Sequence, residues 1–258
     1  MLTEFLDIDM LRVFLLIFAR TAAMISLIPY FAQRGIPVVL RVFISLAVAF
    51  LIYLAVGEEL VIYSPDDMLI SVVMEVLVGL ALGLLVSIFF TIFLMAGEFV
   101  SRQAGLMLAR LFDPAFEEQV NIIGQFYTMV AMVLYLTIDG HHLLFRGLAD
   151  SFEMIPLGAG LLTPQLMDNV IAFSADVLTI AFQISAPIVV TLIVLNFALG
   201  LLAKTAPQIH VFMLALPLKI MGTMVLIGLS LPIMADLLPN FLDWFMGVYY
   251  QIMQGWLG

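Results

Sequence analysis

The sequence predicts an all-α fold: a polytopic membrane protein of six to seven apolar helices arranged as hairpins, with no soluble domain. Three observations carry that prediction. Apolar residues make up 64% of the 258-residue chain and charged residues 11%, and the mean hydropathy is +1.21. A soluble domain runs at about 45–50% apolar and about 25% charged. Several apolar runs reach the ~20 residues that a helix needs to cross the hydrocarbon core. No alternation of period two runs long enough for the strands of a membrane barrel.

Seven apolar segments can be drawn, at residues 10–32, 36–56, 68–96, 120–138, 177–203, 211–235 and 241–257. The first follows the acidic stretch MLTEFLDIDM, where a cleavable signal peptide would be basic, so it is expected to persist as a helix. The third contains Gly79-Leu80-Ala81-Leu82-Gly83, a spacing that permits close helix contact but is common in membrane helices. The last is amphipathic through Asp243, Gln251 and Gln254. Short loops punctuate the series, such as Gln33-Arg34-Gly35 and Tyr63-Ser64-Pro65-Asp66-Asp67. One long connection, 139–169, holds Pro156-Leu157-Gly158 and Thr163-Pro164 and is expected to form a short helix and turns. Pro29, Pro187, Pro217 and Pro232 fall inside apolar segments. Proline frees carbonyls that protein or enclosed water must satisfy at membrane depth, so these helices are expected to face protein.

The formal charge of −10, from nine basic and nineteen acidic residues, argues against nucleic acid as a partner. Arg34, Arg41, Arg102, Arg110 and Lys204 lie in the first, third and fifth loops. The alternate loops hold one basic residue, Arg146, among Glu58, Glu59, Asp66, Asp67, Asp139, Asp150 and Glu153. This asymmetry puts the odd loops inside and the N-terminus outside, with the C-terminus inside for seven spans and outside for six. Arg12, Arg20, Glu75, Glu98 and Lys219 sit within or at the edges of apolar segments. A charge at mid-bilayer costs about 2.5–3.5 kcal/mol on insertion scales. Arg12 and Glu98 are near helix ends and can snorkel. Arg20, Glu75, Glu98 and Arg102 are the candidates for buried polar or intersubunit contacts.

Little points to catalysis. There is no cysteine, which excludes disulfides and thiolate chemistry. His141 and His142 are adjacent, so on a helix they diverge by about 100° and are not expected to share an ion. They follow Asp139-Gly140, a turn signal, and read as the start of a helix at the membrane surface. No nucleophile elbow, zinc-protease motif or phosphate loop is present. Asp176 has no second aspartate placed to share a proton. No catalytic residue, metal or cofactor is therefore expected. Glu75 and Asn196 are the candidates for a midplane site in a secondary transporter, but the two halves show no convincing repeat. Most of the seventeen methionines read as lipid-facing or gap-filling residues.

Several stretches together carry a resemblance. They are Ala19-Arg20-Thr21-Ala22 through Pro29 to Gly35-Ile36-Pro37 and Arg41, and Glu98-Phe99-Val100-Ser101-Arg102-Gln103-Ala104-Gly105-Leu106 followed by Phe112-Asp113-Pro114. A third runs from Ala186-Pro187 through Leu199-Gly200-Leu201 and Ala206-Pro207-Gln208-Ile209-His210-Val211-Phe212 to Leu216-Pro217-Leu218-Lys219. With Gly140-His141-His142, Ser151-Phe152 and Pro156-Leu157-Gly158, their order resembles the FliR family of flagellar biosynthesis proteins, an export-gate family shared with type III secretion injectisomes. The likeness runs from about residue 11 to the C-terminus. One departure is His210, where the family commonly carries Asn.

The resemblance implies a single membrane export-gate domain, 1–258, in which 1–170 is FliP-like and 171–258 is similar to the FliQ helical hairpin. It implies a non-enzymatic subunit that forms, with FliP and FliQ, a channel for unfolded flagellar proteins through the bacterial inner membrane at the flagellar basal body, with FlhB beside it. Residues 110–116 interrupt two apolar helices and are too apolar for a solvated loop, while Asp113-Pro114 breaks any helix. The resemblance adds that this loop projects into the channel. Arg110, Leu111, Phe112, Asp113, Pro114 and Phe116 are thus expected to form a plug. Lys204, Pro207, Gln208, His210 and Lys219, at the turn of the FliQ-like hairpin, are expected at the cytoplasmic entrance beside FlhB. The alternatives are the equivalent injectisome subunit or a small-solute secondary transporter, which would purify alone and bind a solute.

Overall fold

Apolar helix is the one economical answer to a sequence of this kind, because it satisfies the backbone internally wherever water is absent. The computed structural model describes residues 8–32, 35–57, 60, 67–106, 121–159, 163–205 and 211–256. Among them run α1 (Ile8–Leu27), α2 (Pro29–Ala32), α3 (Val38–Val56), α4 (Met68–Ala104), α5 (Ile122–Thr137), α6 (Gly140–Met154), α7 (Pro164–Thr205) and α8 (Val211–Gln254). The fold is all-α, as the sequence predicts. Five of these helices are long and apolar enough to span a membrane, and α5 with α6, taken as one broken pair, would make six.

The helix boundaries differ from the sequence expectation in two places. The sixth and seventh apolar segments are one helix, α8, of 44 residues with Pro217, Pro232 and Pro239 inside it. Proline argues for a break after 235, but the apolar stripe continues across it: Leu238, Leu242, Phe245, Met246, Tyr249, Ile252 and Met253 are all buried. Asp243, Gly247, Gln251 and Gln254 on the opposite face are exposed, so the expected amphipathic character is present. Helix α7 begins at Pro164, well before 177. Thr163 Oγ1 accepts from the Leu166 amide at 3.1 Å and caps it, and proline is pre-organised for the first helical position. Before α7, α6 is the short helix expected in the long connection.

Two compact units divide the described residues, with boundaries falling inside α4, α7 and α8. The first takes the chain up to Phe89, Asp139–Ser174 and everything from Leu242; the second takes Phe90–Ile138 and Ala175–Phe241.

In the first unit, α1 packs on α3 and on the start of α4. The α4 contact is made by small residues. A Cβ on Gly79 would lie 2.2 Å from the Arg20 carbonyl oxygen, and one on Gly83 would lie 2.6 Å from that of Met24. Gly79 and Gly83 are one turn apart on α4, as Arg20 and Met24 are on α1, so two backbones touch along matching ridges. The end of α8 enters the same unit through an aromatic cluster. Phe245 lies 4.7 Å from Phe89, 6.1 Å from Phe173 and 5.9 Å from Tyr249, ring centre to ring centre. Tyr250 donates to Asp150 Oδ2 at 2.5 Å, and Thr163 Oγ1 donates to the Gly255 carbonyl at 2.5 Å.

In the second unit, α4 and α5 also meet backbone to backbone, since a Cβ on Gly97 would lie 2.4 Å from Gly124 Cα. Asn121 fixes this crossing: its Oδ1 caps α5 by accepting from the Gly124 amide at 2.9 Å, and its Nδ2 donates to the Leu94 carbonyl at 3.3 Å. Phe90 packs edge-on against Tyr135, and Phe99 against Phe182.

The Gly79 contact gives a direct test. Gly79→Ala should lose about 1–3 kcal/mol, because backbone rather than a flexible side chain must move. Gly247→Ala, with nothing within 4 Å of the added Cβ, should be neutral or gain up to about 1 kcal/mol from helix propensity. Thermal unfolding of the two detergent-solubilised variants checks the pair.

Candidate functional site

The charges that the sequence places inside apolar helices converge in the first unit. Arg20 on α1 and Glu75 on α4 are both fully buried. They form a two-pronged ion pair, Nε to Oε2 at 2.5 Å and Nη2 to Oε1 at 3.1 Å. Arg20 Nη1 donates to the Ser151 carbonyl at 2.8 Å and to Ser151 Oγ at 3.2 Å, and Nη2 donates to the Ile155 carbonyl at 3.0 Å. Every one of the five guanidinium N–H donors therefore has an acceptor. The Phe152 ring closes one face, 4.2 Å from the guanidinium carbon, where the aromatic quadrupole favours a cation.

Glu75 is held equally firmly. Its Oε1 also accepts from the Gly158 amide at 2.8 Å. Gly158 is the third residue of a turn closed by the Ala159 amide donating to the Pro156 carbonyl at 3.1 Å. Its φ is +80°, the value that a type II turn demands at that position and that glycine adopts without penalty. A Cβ there would also lie 3.0 Å from Ser71 Oγ. Glu75, Gly79 and Gly83 repeat every fourth residue, so they share one face of α4. The absent side chains at Gly79 and Gly83 are what bring α1 close enough for Arg20 to reach Glu75.

Chemically, this node is closed. Both charged groups are saturated by protein, and neither is open to a substrate or a proton carrier. Its capacity is to hold α1, α4, α6 and the 156–159 turn in one arrangement. The transporter expectation placed Glu75 at a solute site; instead it is locked to Arg20. The other candidate, Asn196, is only part-buried on α7, and Asp176 is exposed. In the second unit, an apolar cleft at Pro187 is lined by Gln183, Met234, Leu237, Tyr127 and Ser230. The last two share a hydrogen bond at 3.1 Å.

The remaining sequence candidates do not join the node. Glu98 and Arg102 pair with each other one turn apart on α4, with side chains 42% and 57% exposed. Within the chain they are a surface ion pair, worth about 0–1 kcal/mol, rather than buried polar groups; the other half of the expectation, an intersubunit contact, needs an exposed pair of this kind. They lie in the last two turns of α4, which also carry the fully buried Val100 and Ala104. Lys204 is exposed in the last turn of α7, and Lys219 is part-buried on α8. Pro207, Gln208 and His210, and the whole 110–116 segment, lie outside the described residues.

The histidine pair behaves differently from expectation. Donor atoms of Asp139, His141 and His142 all lie within 4.8 Å of one another. The two imidazole rings are 4.2 Å apart and tilted by 35°. The 100° divergence holds for the Cα–Cβ directions, but two further torsions at the open first turn of α6 let the rings come together.

Sequence reasoning missed Ser151, Ile155 and Gly158 as partners of the ion pair, and Asp150 with Tyr250. The only local signal was the Pro156-Leu157-Gly158 turn, which says nothing of what its amide binds.

The fold and its neutralised interior define a class: a polytopic all-α membrane protein whose buried charges organise its helices. Residues 11–244 match the family of bacterial export proteins, family 1, to which the chain belongs. Flagellar biosynthetic protein FliR of Bacillus subtilis (strain 168) is 34% identical over 218 residues, 83% of each chain. FliR of Escherichia coli (strain K12) is 28% identical over 221 residues, 85% of this chain and 82% of that one. FliR of Aquifex aeolicus (strain VF5) is 25% identical over 250 residues, 95% of each.

Breaking the ion pair from either side should be costly, because it strands a buried charge. Arg20→Ala and Glu75→Ala should each lose about 3–5 kcal/mol, while a double replacement by Met should cost less than the two single losses combined. Arg20→Lys should resemble Arg20→Ala, since an ammonium cannot form the fork. Chemical denaturation of the four variants in detergent measures the coupling, and additive losses would sink it.

Proposed function

We propose that the chain is a non-enzymatic subunit of the flagellar type III protein export gate. It joins FliP and FliQ homologues, with an FlhB homologue beside them, in the bacterial inner membrane at the flagellar basal body. Unfolded flagellar subunits pass through the channel so formed. The observation that carries this reading is the match of nearly the whole chain to an export family whose relatives are flagellar biosynthetic proteins. The flagellar system is favoured over an injectisome by the same relatives.

The distribution of apolar surface supports the reading. In α4, 56% of the most apolar stretch is buried within the chain, but only 17% in α3, 17% in α7 and 11% in α8. Val39, Phe43, Leu51 and Leu54 on α3, Phe197 on α7, and Met221, Val225 and Leu229 on α8 stand exposed. Lipid and partner helices are the two apolar media that can cover such faces. At about 1.5 Å per residue, the 42 residues of α7 and 44 of α8 run about 63–66 Å. That is roughly twice the ~30 Å hydrocarbon core, so part of their apolar surface needs protein.

Within this gate, residues 110–116 act as the plug: Leu111, Phe112 and Phe116 exclude water, and Arg110 and Asp113 anchor the loop. The 204–219 turn, with Lys204, Pro207, Gln208, His210 and Lys219, forms the cytoplasmic entrance. The FliP-like part, 1–170, and the FliQ-like hairpin, 171–258, supply the two kinds of subunit contact.

Expression of the chain with FliP, FliQ and FlhB homologues should give a stable complex, and a cysteine at Gln208 should crosslink to the FlhB homologue in membranes. A chain that is monodisperse alone and indifferent to these partners would count against the gate; crosslinks only to unrelated loops would remove the entrance assignment. Deleting 110–116 should leave the complex assembled but permeable to small ions. An assembled deletion complex as tight as the parent in an ion-flux assay would eliminate the plug.

A further inference from the structure

The start of α6 carries a group of side chains that the ion-pair node does not use. Asp139, His141 and His142 present one carboxylate and two imidazoles, with donor atoms all within 4.8 Å of one another. We propose that they form a surface binding site for one divalent transition-metal ion of the zinc type.

Three features of the site point to this chemistry. Asp139 has φ 57° and ψ 25°, a left-handed conformation, and stands at the N-cap of α6. Yet its side chain makes no capping hydrogen bond and instead faces the His142 ring, with Oδ1 3.5 Å from Nδ1. Second, among the described residues, Nδ1 of His141 is buried without a hydrogen-bond partner, an unusual state that asks for an explanation. Third, the donor set is mixed nitrogen and oxygen. Two imidazoles and one carboxylate suit zinc, nickel or copper, whereas magnesium prefers oxygen donors.

The distances are within reach. Metal–donor bonds of about 2.0–2.2 Å put neighbouring donors roughly 3–3.5 Å apart, so the side chains must close by about an ångström. The side chains of Asp139 and His142 are 74% and 70% exposed, and rotamer changes there meet little resistance. Three protein donors leave coordination positions for water. An ion so held would tie the left-handed residue to the first turn of α6 and fix the start of that helix. The positive end of the α6 dipole opposes a cation, so the three donors must supply the affinity themselves.

The test uses the full-length purified chain without a histidine tag. Calorimetric titration with Zn²⁺ should show saturable binding of one ion per chain, and Mg²⁺ in excess should not compete. Asp139→Asn, which tolerates the left-handed backbone, and His142→Ala, at an exposed position, should each weaken Zn²⁺ binding by about tenfold or more, a loss typical even of disturbed supporting residues. His141→Ala should do the same. Unaltered α-helical circular dichroism in Asp139→Asn and His142→Ala keeps the comparison fair. Parent-like Zn²⁺ affinity in those two variants, equal competition by Mg²⁺, or no saturable binding by the parent would overturn the proposal.

Discussion

A single buried ion pair sets the terms for the first unit. Arg20 and Glu75 occupy apolar helices, and each alone would be too costly there. Together, with two carbonyls, one hydroxyl and one amide, they leave no polar atom of either group unmet. Buried pairs of this kind are weak as sources of net stability but strong as constraints, since breaking one side leaves an uncompensated charge. The pair thus specifies which helices may be neighbours. Any register of α1 against α4 that moves Arg20 by one residue forfeits the fork, and the 156–159 turn has its Gly158 amide committed to the same carboxylate.

Small residues make that constraint attainable. The Gly79 and Gly83 ridge seats α1 against α4, and the Gly97–Gly124 contact does the corresponding work for α4 and α5 in the second unit. Hydrophobic burial cannot choose among apolar helices in an apolar solvent. Close backbone approach and a few hydrogen bonds choose instead. Asn121 and Thr163 follow the same economy, each capping a helix while also holding a second backbone group.

Much of this was legible in the sequence, and the limits have physical reasons. Composition and run length gave the all-α membrane fold, and motif order gave the family. The cost of burying charge singled out Arg20 and Glu75, but their mutual pairing spans 55 residues and leaves no periodic trace. Glu98 and Arg102 are exposed within the chain, and their spacing of four on a helix is the better guide to their pairing. The two apolar segments drawn at 211–235 and 241–257 are one helix, because the buried stripe from Leu238 to Met253 runs through the polar gap between them. The histidine pair was judged from Cβ directions, and flexible side chains at a helix start are not bound by them. The expected plug and most of the entrance turn lie outside the described residues, so the sequence remains their main guide.

The reach of Arg20 along the chain has a consequence for biogenesis. Its acceptors are supplied by residues 75, 151 and 155, and its carboxylate is completed by the amide of residue 158. Synthesis proceeds at about 5–20 residues per second, so the guanidinium waits on the order of 10–30 s for its full set of acceptors. Glu75 supplies the counter-charge 55 residues after Arg20 is made, but the acceptors of Nη1 come only with Ser151, and whatever receives the nascent chain must stand in for them until then. The growing polypeptide can settle its first helix only after more than half of its length has been made.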